Sequence, residues 1–124
     1  RPEKSFHEHI KSYEMVYLKE QLEGELAAIE EQGRLLYQRR TLEDLRKYRQ
    51  MVADFIRNCI SQGLNLKQER HTTNFGRTKI LSVLKTIDDK ILSLAEQLIE
   101  ENGDPLKILA LVDEIRGLLL DLYT

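Results

Sequence analysis

The segment TLEDLRKYRQMVADFI, residues 41–56, gives the clearest indication of the fold, because it combines a helix start signal with a strongly amphipathic pattern. Thr41 is a preferred N-cap residue type, and Asp44 three positions later gives a capping-box variant with Asp in place of the usual Glu. Apolar residues then recur every three or four positions on one face, as an α-helix requires: Leu42, Leu45, Tyr48, Val52, Phe55, Ile56, Cys59 and Ile60. The pattern predicts a helix over 42–62 that buries one broad face.

Upstream of this segment, residues 5–37 predict a long helix with two apolar stripes. The stripe in its later half has three- and four-residue spacing: Met15, Leu18, Leu22, Leu26, Ile29 and Leu36, with Gly33 in register. The first half carries a different stripe, which is rotated by roughly 120° at about 100° per residue: Phe6, Ile10, Tyr13 and Tyr17. The later stripe is the one that we expect to pack inside the protein.

Downstream, two further helices are predicted over 78–101 and 105–122, separated by the turn sequence ENGDP. Asp104 suits the N-cap of the last helix, and Pro105 suits its first position. Residues 63–77 do not keep a helical period and are predicted to form a crossover loop. The chain is therefore expected to be one all-α domain, residues 1–124, folded as an antiparallel four-helix bundle with a long N-terminal helix.

The length of the first helix leads to an expectation about function. About 32 residues at 1.5 Å each span roughly 48 Å, which is longer than the other helices by something like 10 residues. An overhang bearing Phe6, Ile10, Tyr13 and Tyr17 would expose apolar surface, which often marks a contact site. We therefore expect these residues to contact a second copy or a partner protein. The alternative is that the segment frays or folds back over its own bundle.

Two charged residues fall within apolar arcs of the last two helices. Asp88 lies among Leu84, Ile91 and Ala95, and Arg116 lies among Val112, Leu109 and Leu120. The short turn makes the two helices antiparallel, so positions 88 and 116 should be nearly level. An unpaired charge at a buried edge is costly. The sequence therefore predicts a structural ion pair between Asp88 and Arg116, with a snorkelling arginine as the alternative.

Charge is unevenly distributed along the chain, although the net charge is only −2. Residues 34–79 hold four acids and eleven bases, whereas the segments on either side are acidic. Mutual neutralisation within the bundle is the simplest interpretation, and a basic surface for an anionic partner is the alternative. Basic residues cluster in two places: in the predicted crossover loop and in YQRRTLEDLRKYRQ, residues 37–50. These two places lie at opposite ends of the second helix.

The loop itself offers candidate anion-binding residues just before a helix N-terminus: Lys67, Arg70, Arg77 and Lys79. These residues support an alternative function, an anion- or nucleic-acid-binding module that uses the basic segment 66–79. The sequence pI of about 6.0 is low for a nucleic-acid-binding domain, so nucleic acid is not the partner that we expect.

No constellation of catalytic or metal-ligating residues is recognisable in the sequence. His7 and His9 are two positions apart and point to different faces of a helix, unlike the paired histidines of zinc helices. Cys59 lies on the apolar face and is predicted to be an inert core residue. We therefore predict no enzymatic activity, no cofactor and no metal. No apolar run approaches the roughly 20 residues of a membrane-spanning helix, so no membrane association is expected.

Residues 25–124 resemble the YaaR-like family of small bacterial proteins of unknown function. The resemblance is carried by RTLEDLRKYRQMVADFI, by GLNLKQE, by KILSVLKTIDDKILSLAEQLIEE and, most specifically, by the ending DEIRGLLLDLY. It implies a bacterial, cytoplasmic, all-helical bundle, and it implies no reaction, cofactor or substrate. Together with the residue patterns, it favours a non-enzymatic protein–protein interaction or adaptor role.

Overall fold

The computed structural model describes residues 6–63 and 74–123, and these form four α-helices. Helix α1 spans Phe6–Arg39 and α2 spans Leu42–Asn58, which continues as a π-helical turn, Cys59–Gly63. Helix α3 spans Asn74–Ile99 and α4 spans Pro105–Tyr123. This is the predicted all-α bundle with a long first helix.

The predicted start signals act as expected at two helices. Thr41 is the N-cap of α2, where its hydroxyl oxygen accepts a hydrogen bond from the Asp44 backbone N–H at 3.0 Å. The Asp44 carboxylate in turn accepts from the Thr41 hydroxyl at 2.9 Å. Asp104 caps α4 through a 2.9 Å bond from the Leu106 N–H. Each cap satisfies a backbone donor that has no partner within its own helix.

Each helix runs antiparallel to the one before it, and α4 packs back against α1. The order around the bundle is therefore α1, α2, α3, α4. One apolar stripe from each helix fills the centre, as the heptad-like spacing requires: Leu18, Leu22, Leu26, Ile29, Leu36, Leu45, Tyr48, Val52, Phe55, Cys59, Ile87, Leu94, Ile108, Ile115 and Leu119. The later stripe of α1 is buried as predicted from Leu18 to Leu36, and its first member, Met15, lies outside the side chains that the structure describes.

Helix boundaries differ from the sequence prediction most clearly at α3. The helix begins at Asn74 and not at residue 78, so residues 74–77, which were assigned to the crossover loop, are helical. Asn and Gly are compatible with a first helical turn, where the backbone N–H groups need no partner within the helix. Residues 64–73 of the predicted loop lie outside the part of the chain that the structure describes. When the π-helical turn Cys59–Gly63 is counted as the end of α2, the other helix ends fall within two residues of the predicted positions.

The turn between α1 and α2 is held by a buried polar contact that the sequence pattern did not reveal. Gln32 is only 3% exposed, although its side chain is polar. Its side-chain amide donates to the Asp44 backbone carbonyl at 3.0 Å and approaches the Asp44 carboxylate at 3.4 Å. The turn also requires Arg40 to adopt a φ of 53°, which is strained for a residue other than glycine. The polar contact therefore fixes a chain reversal that local preference alone would not favour.

Candidate protein-interaction site

The N-terminal part of α1 extends past the ends of α2 and α4. Among the side chains of this helix that the structure describes, Leu18 is the first that is buried. The hydroxyl of Tyr123, at the end of α4, donates to the Lys19 backbone carbonyl at 3.5 Å. Asn58, at the end of α2, bonds the Glu25 carboxylate at 3.0 Å. The ends of the two neighbouring helices therefore lie level with residues 19–25, and the first turns of α1 project beyond them.

The projecting segment carries exposed apolar side chains. Tyr13 is 77% exposed and Tyr17 is 70% exposed, while Ile10 is exposed to a smaller extent. Val16 is also exposed, and the sequence prediction missed it because it falls outside the 4-3-4 spacing of the stripe. The side chain of Phe6 is not among those that the structure describes. Three of the four predicted contact residues therefore lie together on an uncovered face of α1.

The predicted basic segment is described only in part. Lys67 and Arg70 lie outside the described residues. Arg77 and Lys79 lie in the first turns of α3, where both are exposed. The structure therefore places Arg77 in a helix and not in the predicted loop, whereas Lys79 lies in a helix as predicted, and both side chains face solvent.

The predicted Asp88–Arg116 ion pair is wrong. The Nε of Arg116 lies 2.7 Å from a carboxylate oxygen of Glu30, on α1. Asp88 is exposed on the edge of α3 that faces α2, where it lines a groove between these two helices. The prediction that positions 88 and 116 lie level along the two helices was nevertheless correct. Lys90 pairs with Glu114 at 3.2 Å across the same two antiparallel helices, which gives the same alignment.

The physical reason for this error lies in the rotation of the two helices. Ile87 and Leu94 are the buried centre of α3, and Ile115 and Leu119 are buried in α4. Asp88 and Arg116 each lie next to such a centre, but on edges that point to different neighbouring helices. The apolar faces that the sequence predicts for α3 and α4 are therefore wider than the part of each helix that its neighbours bury.

We expect the Glu30–Arg116 pair to contribute little to stability, since the two side chains remain 36% and 47% exposed. A double-mutant cycle with Glu30→Gln and Arg116→Met should give a coupling energy below about 1 kcal/mol. Urea unfolding of the four proteins measures this energy. In the matched cycle with Asp88→Asn and Arg116→Met, the two effects should add. A measurable coupling between Asp88 and Arg116 would contradict the observed pairing.

Cys59 has the environment of an inert core residue, as the sequence predicts. It is buried in the cluster between the helices. Burial raises the pKa of its thiol to about 11, and the nearby Glu25 carboxylate adds to the increase. Because the thiolate is the reactive form, this thiol stays protonated and unreactive near neutral pH.

Within residues 6–63 and 74–123, no group of His, Cys, Asp or Glu side chains is arranged to hold a metal ion. None of the helices in these ranges is long and apolar enough to span a lipid bilayer. The projecting face of α1 is thus the feature of the described chain that most clearly lacks a structural role within its own bundle.

The fold and the exposed helix define this chain as a four-helix-bundle protein with an uncovered N-terminal extension. It belongs to the family described as "Protein of unknown function (DUF327)", whose model matches residues 1–123. The predicted family resemblance is therefore confirmed, and the match includes the first helix, which the sequence motifs did not cover.

Three proteins are similar to this chain. The uncharacterized protein YaaR of Bacillus subtilis (strain 168) is 30% identical over 105 residues, which are 85% of this chain and 72% of YaaR. An uncharacterized protein from Bacillus halodurans has a crystal structure that matches with 33% identity and a TM-score of 0.87, covering 98% of this chain and 100% of that one. Moevan, a designed granulopoietic protein made by topological rescaffolding, matches with 27% identity and a TM-score of 0.78, covering 87% and 92% of the two chains.

Proposed function

We propose that this chain is a non-enzymatic protein–protein interaction module, and that the N-terminal face of α1 pairs with the same face of a second copy. The observation that carries the proposal is the exposure of Ile10, Tyr13, Val16 and Tyr17 on a helix whose later stripe is buried from Leu18 to Leu36. Tyrosine is enriched at the centres of protein interfaces, because it supplies contact area with few rotatable bonds. A bacterial cytoplasmic location is part of the proposal, and it is supported by the single cysteine.

Two features favour a second copy as the partner. The stripe Phe6, Ile10, Tyr13 and Tyr17 has 4-3-4 spacing, which is the seam spacing of paired helices. The charges between residues 6 and 19 are balanced, with two acids, Glu8 and Glu14, and two bases, Lys11 and Lys19. Two copies of this segment therefore meet without an excess of like charge. Twelve helical residues offer only about 18 Å of contact, so the dimer should be weak, in the micromolar range.

The test is the mass of the protein in solution as a function of concentration. The wild type should change from monomer to dimer across the micromolar range in analytical ultracentrifugation. The variant Tyr13→Glu/Tyr17→Glu should remain monomeric, because each dimer would then bury charges without partners. Its thermal midpoint should stay close to that of the wild type, since both tyrosines are exposed.

A matched control places two glutamates on exposed apolar positions at the other end of the bundle, in Ile99→Glu/Leu106→Glu. This variant should dimerise like the wild type. A monomeric wild type up to the highest soluble concentration would overturn the proposal. Equal association of the wild type and the Tyr13/Tyr17 variant would show that another surface is responsible.

The alternative function, binding of an anion or a nucleic acid by the basic segment 66–79, is supported by the exposure of Arg77 and Lys79 at the start of α3. Salt-dependent binding of an oligonucleotide would support this alternative, since phosphate contacts weaken as salt increases. Replacement of Lys67, Arg70, Arg77 and Lys79 by glutamine should then abolish the binding without changing the mass distribution.

A further inference from the structure

A groove lies between α2 and α3, at the opposite end of the bundle from the α1 extension. The backbones of α2 and α3 approach each other closely at fewer positions than those of the other neighbouring pairs. The space between them has a volume of about 500 Å³ and an apolar lining: Leu42, Leu45, Ile91, Leu92 and Ala95. Leu45 is buried and forms the floor, whereas Leu42 and Leu92 are 57% and 62% exposed on the two sides. Two uncovered leucines across a groove leave apolar surface that the bundle does not use.

The charged side chains around this groove are unequal on its two sides. Arg46 and Arg49 line the α2 side, and both are exposed. Asp88 is the acidic residue that lines the α3 side. Arg46 also lines a wide depression at the α1–α2 turn, together with Arg39 and Lys47. The basic side of the groove therefore continues onto a larger basic surface, in which Glu43 and Asp44 are the acids.

We propose that this groove binds an amphipathic α-helix of a partner protein, with acidic residues along one edge of its apolar face. Apolar side chains at three- and four-residue spacing contact Leu42, Leu92 and the floor, as helices do in hydrophobic grooves. Carboxylates beside them meet Arg46 and Arg49, whose guanidinium groups can bond a carboxylate through two parallel N–H donors. Asp88 on the other side sets the orientation, because an acidic edge placed there would be repelled.

The lining favours a protein partner over a nucleic acid. A phosphate backbone would satisfy the arginines, but it would leave the leucines and Ala95 without an apolar contact. Buried apolar area is the main favourable contribution when a helix enters such a groove. This second surface goes beyond the proposed self-association, and together the two surfaces, at opposite ends of the bundle, would give an adaptor that links a homodimer to another protein.

The experiment uses the full chain and two fluorescently labelled helical peptides of about five turns. Both carry the same leucines on one face, and they carry either glutamate or lysine beside that face. In fluorescence anisotropy, the glutamate peptide should bind about tenfold more tightly than the lysine peptide at low salt. The variant Arg46→Glu/Arg49→Glu should reverse this preference. The variant Leu42→Ala/Leu92→Ala should weaken the binding of both peptides.

The matched control for charge is Arg34→Glu/Arg57→Glu, which makes the same change at exposed arginines outside the groove. It should keep the preference for the glutamate peptide, which excludes a general effect of net charge. Binding of neither peptide by the wild type, or an unchanged preference in the Arg46/Arg49 variant, would overturn the proposal. Loss of dimerisation in the Leu42/Leu92 variant would also overturn it, since a second copy would then occupy the groove. These outcomes are independent of the Tyr13/Tyr17 variant, which tests only the α1 surface.

Discussion

Replacement of Phe55 by alanine should lower the free energy of unfolding by about 3–5 kcal/mol, the largest effect expected from the substitutions considered for this chain. Phe55 is 0% exposed and lies in the central cluster of the bundle. Truncation removes the transfer free energy of the aromatic ring and leaves a cavity that the surrounding helices fill only in part. Urea unfolding measures the change directly, and the thermal midpoint should fall by roughly 10–20 °C.

The matched control for Phe55 is Leu92→Ala, which truncates a large apolar side chain that is 62% exposed on α3. Its effect on stability should be within about 0.5–1 kcal/mol, because little apolar area is buried at this position. A loss comparable to that of Phe55→Ala would show that Leu92 is covered in solution. A loss below about 1 kcal/mol for Phe55→Ala would contradict the observed core.

Gly33→Ala should destabilise the protein by about 1–2 kcal/mol, although alanine is the better helix former by about 1 kcal/mol. Gly33 lies where α1 approaches two other helices. A Cβ atom at this position would lie 2.6 Å from the Val112 Cγ1 and 3.3 Å from the Tyr48 Cε1. Valine is stiff at χ1, so its methyl group cannot rotate away without cost. The overpacking should therefore exceed the gain in helix propensity.

Gly24→Ala and Gly117→Ala are the controls for this position, because an added Cβ meets no atom within 4 Å at either site. Both glycines are exposed within helices, so each substitution should stabilise the protein by up to about 1 kcal/mol. In the double variant Gly33→Ala/Val112→Ala, the clash is removed, and the loss should be smaller than the sum of the single losses. If Gly33→Ala stabilised the protein like its controls, the close approach of α1 to α4 would be refuted.

The sequence by itself determined the four helices and most of the core. Thr41, Asp104 and Pro105 mark helix starts through local hydrogen bonding and backbone geometry, which depend on a few neighbouring residues. The apolar period of each helix identified the buried face, as the later stripe of α1 shows. These features could be predicted because each depends only on residues that are close together in the chain.

The antiparallel register of α3 and α4 was also predictable, because a short turn leaves few ways to align two helices. The Lys90–Glu114 pair shows that positions 88 and 116 lie at the predicted level. The length of α1 and the rotation of its first stripe led to the expectation of an exposed overhang, and Ile10, Tyr13 and Tyr17 are exposed in the structure.

Only the tertiary structure decided which edge of each apolar face is covered and by which neighbour. Arg116 bonds Glu30 and not Asp88, because packing around Ile115 and Leu119 turns its edge of α4 toward α1. The burial of Gln32, next to Asp44, likewise depends on the chain reversal between α1 and α2. A helical period defines the direction of a face to within one residue, or about 100° of rotation, whereas ion pairs and grooves depend on a smaller angle. The exact rotation of each helix about its axis depends on how the side chains of all four helices pack together. It therefore cannot be predicted from any single stretch of the sequence.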